Sequence, residues 1–118
     1  MILLVDKDPI SADSIAYYLE AAGYEVETMF DAHKVLERAA ALDPELVLME
    51  VILSGGNGLA LSQALKSDPR TCHLPVLMVS VLAAEERAKK AGAVAFLLKP
   101  VDRQRLLAAV SAARTERR

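Results

Sequence analysis

The sequence predicts an α/β fold: one sheet of five parallel strands with helices on both faces. Three observations carry that expectation. Continuous apolar runs recur at Ile2-Leu3-Leu4-Val5, Leu46-Val47-Leu48-Met49 and Val76-Leu77-Met78-Val79, and such runs suit strands buried on both sides. Between the runs, apolar residues repeat at helical spacing. The joints are short and carry capping and breaking residues, so each strand hands over quickly to a helix.

Each element has a local reason. Ile2 to Val5 ends at the polar residues Asp6, Lys7 and Asp8. Asp8 offers an N-cap oxygen, and Pro9 fits the first helical turn, where its missing N–H costs nothing. The helix that follows carries Ala12, Ile15, Ala16, Leu19 and Ala22 on one face and stops at Gly23. Tyr24 to Met29 alternates with Glu25 and Glu27, which predicts a strand at the sheet edge. Asp31 is expected to cap a helix bearing Ala32, Val35, Leu36, Ala39 and Leu42, ended by Asp43-Pro44. Leu46 to Met49 terminates at Glu50.

Ser54-Gly55-Gly56-Asn57-Gly58 reads as a loop, because three glycines in five residues weaken any regular element. A short helix with Leu61, Ala64 and Leu65 follows, closed by Ser67-Asp68-Pro69. Pro75 introduces the fourth strand, which ends at Ser80. A helix from about Ala83 to Ala91 stops at Gly92, Phe96-Leu97-Leu98 is the fifth strand, and Asp102 caps a last helix with Leu106, Ala109, Val110 and Ala113. Crossovers of this kind are right-handed, so the helices divide between the two faces.

The 118 residues suffice for one domain, spanning 1–118, and not for two separate cores. With 53 % hydrophobic and 25 % charged residues, the chain is neither disordered nor low-complexity. A net charge of −2 provides no bulk field for nucleic acid. The lone Cys72 rules out an internal disulfide and fits a reducing compartment. Asp6, Lys7 and Asp8 interrupt the opening apolar run too early for a signal peptide, and no run is long enough to span a bilayer. The expectation is a soluble cytoplasmic domain without a membrane partner.

In open sheets of this kind the working site lies outside the carboxyl ends of the strands. Asp6, Lys7, Asp8, Glu50, Ser80 and Lys99 all sit there. With Val5-Asp6-Lys7-Asp8-Pro9, Pro44-Glu45-Leu46-Val47-Leu48-Met49-Glu50, Gly55-Gly56-Asn57-Gly58-Leu59, Lys66-Ser67-Asp68-Pro69, Leu74 to Ser80 and Ala91-Gly92-Ala93 through Phe96-Leu97-Leu98-Lys99-Pro100, essentially the whole chain resembles the receiver domain of two-component response regulators. The resemblance implies a flavodoxin-like, doubly wound sheet in the order 2-1-3-4-5. It also implies phosphoryl transfer from a histidine kinase to an aspartate after the third strand, with Mg²⁺ held by that aspartate and two acidic residues after the first strand. A Ser or Thr after the fourth strand and a Lys after the fifth would contact the phosphate.

Carried over position by position, Asp6 matches the first acidic residue, and Ser80, Lys99 and Pro100 match their places. Phe96 fits the aromatic position that reorients on activation. Two positions depart: Lys7 stands where the second metal-binding carboxylate belongs, and Glu50 stands at the phospho-acceptor. Ser54 replaces a frequent proline. Asp6 and Glu50 now cancel Lys7 and Lys99, leaving no charge for a divalent ion to neutralise. At 4 Å and an effective dielectric of 20, each unit-charge repulsion costs about 4 kcal/mol, roughly twice that for a divalent ion. Mg²⁺ binding is therefore expected to be weak or absent, with no other cofactor; Asp8 is a helix cap in preference to a substitute ligand. The extra methylene of Glu50 moves its oxygens by roughly 1.5 Å, enough to cost on the order of 10²-fold where attack geometry matters.

Glu50 is thus expected to form an ion pair with Lys7 or Lys99, in preference to mimicking an acyl phosphate. Only 18 residues separate Ser80 from Lys99, somewhat fewer than the family has, so the fourth helix or the loop before it is expected to be short. Arg87, Lys89 and Lys90 read as a solvated face. His33, on a predicted helix, and Cys72 and His73, in a loop, read as ordinary surface residues, and the glycine loop matches no phosphate-binding motif. The basic tail Arg114-Thr115-Glu116-Arg117-Arg118 complements a helix dipole or begins a linker to an effector domain.

The expected function is an atypical receiver: a signalling module with no catalytic residue, acting through protein contacts at its fourth helix, fifth strand and fifth helix. A histidine kinase, an effector domain or a second copy in a homodimer would be the partner. The alternatives are phosphorylation on Asp6 or Asp8, or a flavodoxin-like domain that binds a small ligand in the vacated pocket.

Overall fold

The computed structural model describes residues 1–118. Along the chain run β1 (Ile2–Val5), α1 (Pro9–Ala21), β2 (Val26–Met29), α2 (Val35–Leu42), β3 (Leu46–Met49), β4 (Ile52–Leu53), β5 (Gly56–Asn57), α3 (Gly58–Ser67), β6 (Val76–Ser80), α4 (Glu85–Lys90), β7 (Ala95–Leu98) and α5 (Arg103–Arg114). The main sheet is ordered β2-β1-β3-β6-β7 and is parallel throughout. With the small β4–β5 hairpin set aside, this is the doubly wound, flavodoxin-like order 2-1-3-4-5.

The apolar runs bury both faces of the inner strands, and period-two alternation sorts their side chains. Ile2, Leu4, Leu46, Leu48, Leu77 and Val79 meet Ala12, Ile15 and Leu19 of α1 and Leu106, Val110 and Ala113 of α5. Leu3, Val5, Val47, Met49, Val76 and Met78 point the other way, onto Val35 and Ala39 of α2, Leu65 of α3 and Ala88 of α4. Each fully buried aliphatic side chain is worth about 1.5–3 kcal/mol. That apolar drive, more than helix propensity, holds helices as short as α2 and α4 in place.

Four local expectations change. Asp31 does not cap α2; its Oδ1 accepts from the His33 N–H at 2.9 Å, and the chain reaches the helix through Lys34 in the left-handed region (φ 66°). The helix therefore starts at Val35, and His33 lies in the preceding turn rather than on it. The glycine segment is not a plain loop: Ile52 pairs with Asn57 and Leu53 with Gly56 in a tight antiparallel hairpin. Gly58 is already helical, capped by Asn57, whose Oδ1 accepts from Leu59 N–H at 2.7 Å. The helix expected from Ala83 to Ala91 is only Glu85–Lys90. Ala22 and Ala64, expected on buried faces, are exposed; Ser62 takes the inward place on α3 and donates to the Ala91 carbonyl at 2.8 Å.

Candidate functional site

The sheet's own ladder positions the site. Glu50 N–H donates to the Val5 carbonyl at 3.0 Å, Asp6 N–H to Met29 at 3.0 Å, and Lys99 N–H to Ser80 at 2.7 Å. Each residue therefore continues its strand by one rung, and its side chain emerges at the carboxyl edge. Asp6 and Glu50 follow β1 and β3, the adjacent strands between which the strand order reverses, where α/β sheets place their crevice.

There Lys99 joins both carboxylates. Its Nζ lies 2.7 Å from Asp6 Oδ2 and 3.0 Å from Glu50 Oε2. The three groups are enclosed, with side-chain exposures of 12 % for Lys99, 3 % for Asp6 and 4 % for Glu50. The remaining lone pairs are also met. Asp6 Oδ1 accepts from Asp8 N–H at 2.9 Å; Glu50 Oε1 accepts from Val51 N–H at 2.7 Å and Ile52 N–H at 3.4 Å; Glu50 Oε2 accepts from Val81 N–H at 3.3 Å. No buried polar side-chain atom is left without a partner. Such a triad is stable only because it is this fully paired.

Burial pushes the Glu50 carboxyl upward, but the Ser80 hydroxyl, the Lys99 ammonium and the Val51 N–H outweigh it and hold the group below the ordinary glutamate value. For Lys99 the balance is the mirror image. Burial disfavours its charge, yet Asp6 and Glu50 raise it above the ordinary lysine value. Both shifts describe an ionised pair across the neutral range.

Of the two lysines expected to face Glu50, Lys99 does so, while Lys7 is exposed and makes no ion pair. Asp8 lies at the N-cap of α1, with its Oδ1 accepting from Ile10 N–H at 3.0 Å. Ser80 is fully buried, and its Oγ accepts from Leu82 N–H at 3.0 Å. Phe96 is half-buried against the core on the α2–α4 side. Pro100 is exposed and follows a cis peptide. At the strand ends, where the small-ligand alternative would place its pocket, Lys99 bridges Asp6 and Glu50. A groove of about 420 Å³ opens beside α1, lined by Asp8, Lys99 and Pro100 together with Ile10, Tyr18 and Val101.

Away from the site, His73 pairs with Asp43 at 2.7 Å, and Cys72 is a free, exposed thiol. The tail's cations are used at the opposite end of the sheet: Arg114 bonds Glu45 at 3.0 Å and packs over the Tyr24 ring, and Arg117 pairs with Asp43. Sequence reasoning missed the Val51, Ile52 and Val81 amides as partners of Glu50, because backbone donors have no signature in side-chain identity.

Known proteins resemble this chain in sequence and in fold. A family model described as the response regulator receiver domain matches residues 2–111. The DNA-binding dual master transcriptional regulator RpaA of Synechocystis is 36 % identical over 114 residues, covering 94 % of this chain and 47 % of the relative. Response regulator PleD of Caulobacter vibrioides is 34 % identical over 112 residues and covered to 25 %. The chain thus spans about half or less of these relatives. The polar-differentiation response regulator DivK of Brucella ovis is 28 % identical, covering 90 % of this chain and 89 % of DivK. Among solved structures, the receiver domain of NtrX from Brucella abortus superposes with a TM-score of 0.89 at 32 % identity, covering 98 % of each chain. A receiver domain protein from Methanospirillum hungatei gives 0.88 at 29 %, covering 98 % of this chain and 94 % of the other.

Proposed function

The chain belongs to the response regulator receiver domain family of two-component signalling, and from that premise we propose that it is a phosphorylation-independent member, a binding module rather than an enzyme. The observation that carries this reading is the Lys99 ammonium shared between Asp6 and Glu50, with Lys7 where the family has a carboxylate. A divalent ion needs several hard oxygen ligands. The donor set does not fit Mg²⁺: one of the three acidic positions is a cation, and an ammonium already occupies both remaining carboxylates. Phosphoryl transfer depends on positioning and charge stabilisation, both supplied in the family by that ion and an aspartate. Glu50 offers a longer arm already engaged by its neighbours.

On this reading the domain acts in the cytoplasm through protein contacts, and a histidine kinase, an effector domain or a second copy is the partner. The surface offered is the one built by α4, β7 and α5, where Val94 and Leu98 are exposed and Phe96 is half-buried. No helix of the chain is long and apolar enough to cross a membrane.

Acetyl phosphate with Mg²⁺, followed by intact-mass measurement, tests the reading. The expected result is an unmodified mass. A stable phosphoryl adduct on Glu50, Asp6 or Asp8 would overturn it.

A further inference from the structure

The pair Asn57-Gly58 joins the chain's only asparagine to a glycine. In such a pair the carboxamide carbon lies within reach of the next backbone nitrogen, and glycine, lacking a β-carbon, leaves the approach open. Asparagine is a thermolabile residue, and ring closure onto that nitrogen is the chemical route. The reaction needs a free nitrogen, a free carboxamide, and rotation about the Asn57 Cα–C bond that brings the two into one ring.

The fold withholds each of these. Gly58 is buried, and its N–H donates to the Val51 carbonyl at 2.7 Å. The Asn57 Oδ1 accepts from Leu59 N–H at 2.7 Å and Ala60 N–H at 3.4 Å, as the cap of α3. Asn57 is itself extended (φ −137°, ψ 128°) and paired across the hairpin with Ile52, which keeps the Gly58 nitrogen out of the plane the ring requires. Yet Asn57 is exposed, and β4 and β5 have only 2 residues each, so the pairing that guards it is marginal on its own.

We propose that Asn57 is a modification site gated by the β4–β5 hairpin: the closed hairpin keeps the asparagine intact, and opening exposes it to irreversible conversion. In the open state the Gly58 nitrogen gives up its proton and bonds to Asn57 Cγ, while the side-chain nitrogen takes up a proton and leaves as ammonia. Water then opens the cyclic imide. Attack at Cγ breaks the new bond and gives aspartate. Attack at the backbone carbonyl breaks the original peptide bond and gives isoaspartate, in which the main chain runs through the side chain and is longer by a methylene. The two products meet this fold differently. Aspartate caps a helix as well as asparagine does, and its charge suits a helix N-terminus. Isoaspartate displaces Gly58, which has no room to move: a β-carbon there would lie 2.2 Å from the Glu50 carbonyl oxygen and 3.0 Å from Val51 Cα. An isoaspartyl chain therefore loses the closure of α3 onto the backbone that carries Glu50.

Incubation of the full chain in mildly alkaline buffer, folded or unfolded in urea, tests the gate, read by peptide mass spectrometry and isoaspartate-specific methylation. Asn57 is expected to convert in the unfolded chain and at least about tenfold more slowly in the folded one. Equal rates overturn the proposal, as does an asparagine that survives in the unfolded chain. Gly55→Val loosens the hairpin without touching the reacting groups: a β-carbon at Gly55 meets nothing within 4 Å, but the φ of 72° strains a β-branched residue. Conversion in this folded variant is expected to rise about tenfold; an unchanged rate overturns the gate. Should Gly55→Val fail to fold, amide hydrogen exchange on the unmodified chain decides. The slowing of Asn57 conversion by folding should match the protection of the Gly58 amide, and a mismatch beyond about tenfold overturns the proposal.

Discussion

The carbonyl oxygen of Glu50 occupies the space that a β-carbon on Gly58 would need: the two would lie 2.2 Å apart. The close approach is held from both sides, because Gly58 N–H donates to the Val51 carbonyl at 2.7 Å. The β4–β5 hairpin thus turns α3 back against the backbone of the candidate site, and only glycine permits it. Gly58→Ala sets two effects against each other. Alanine favours a helix over glycine by about 1 kcal/mol, whereas overpacking against unyielding backbone costs about 1–3 kcal/mol. Net destabilisation in urea unfolding is the expected outcome; a stabilised variant would show that the contact is not tight.

Removing Lys99 leaves two carboxylates enclosed without their cation. Lys99→Met is expected to cost about 3–5 kcal/mol at neutral pH. Combining it with Glu50→Gln should recover part of that loss, so a double-mutant cycle by chemical denaturation gives a coupling well outside additivity. Additive losses would mean that the pair contributes nothing as a pair.

The two opposed shifts set a stability plateau. The folded value of Glu50 lies below its ordinary one. Its contribution is therefore present above about pH 4.3 and is lost as pH falls through the lowered value. The folded value of Lys99 lies above its ordinary one, so its contribution is present below about pH 10.4 and is lost as pH rises through the raised value. Unfolding free energy measured across pH should decline at both ends. In Glu50→Gln the acid limb should be shallower, since one carboxylate no longer takes up a proton; an identical acid limb would contradict the assignment.

Restoring the missing acids should restore a metal preference. In thermal unfolding, millimolar Mg²⁺ is expected to leave the unmodified chain unchanged. It should raise the Tm of Lys7→Asp combined with Glu50→Asp, since a ligand that binds only the native state stabilises it by mass action. A Mg²⁺-dependent rise in the unmodified chain would show that Lys99 yields its place to the ion.

Asp8 and Asp102 were legible as helix caps because a short acceptor beside an apolar-periodic run identifies itself locally. The alternating and continuous apolar runs likewise prescribed five parallel strands, since burial on one or two faces is written into which residues are apolar. The charges of the site, with Lys7 and Glu50 in unusual places, could also be read along the chain. Distance could not. Lys7 and Lys99 carry the same ammonium, yet only Lys99 meets Glu50. The parallel pairings across β1, β3, β6 and β7 bring the end of β7 to the same edge as Glu50, while the chain at Lys7 turns outward into the start of α1. The same holds for Asp31, whose side chain serves the turn at His33 rather than a helix, and for the Val81 amide that reaches Glu50. Residue identity determines which interactions a group can make; the register of strands distant in sequence decides which partners come within hydrogen-bonding reach.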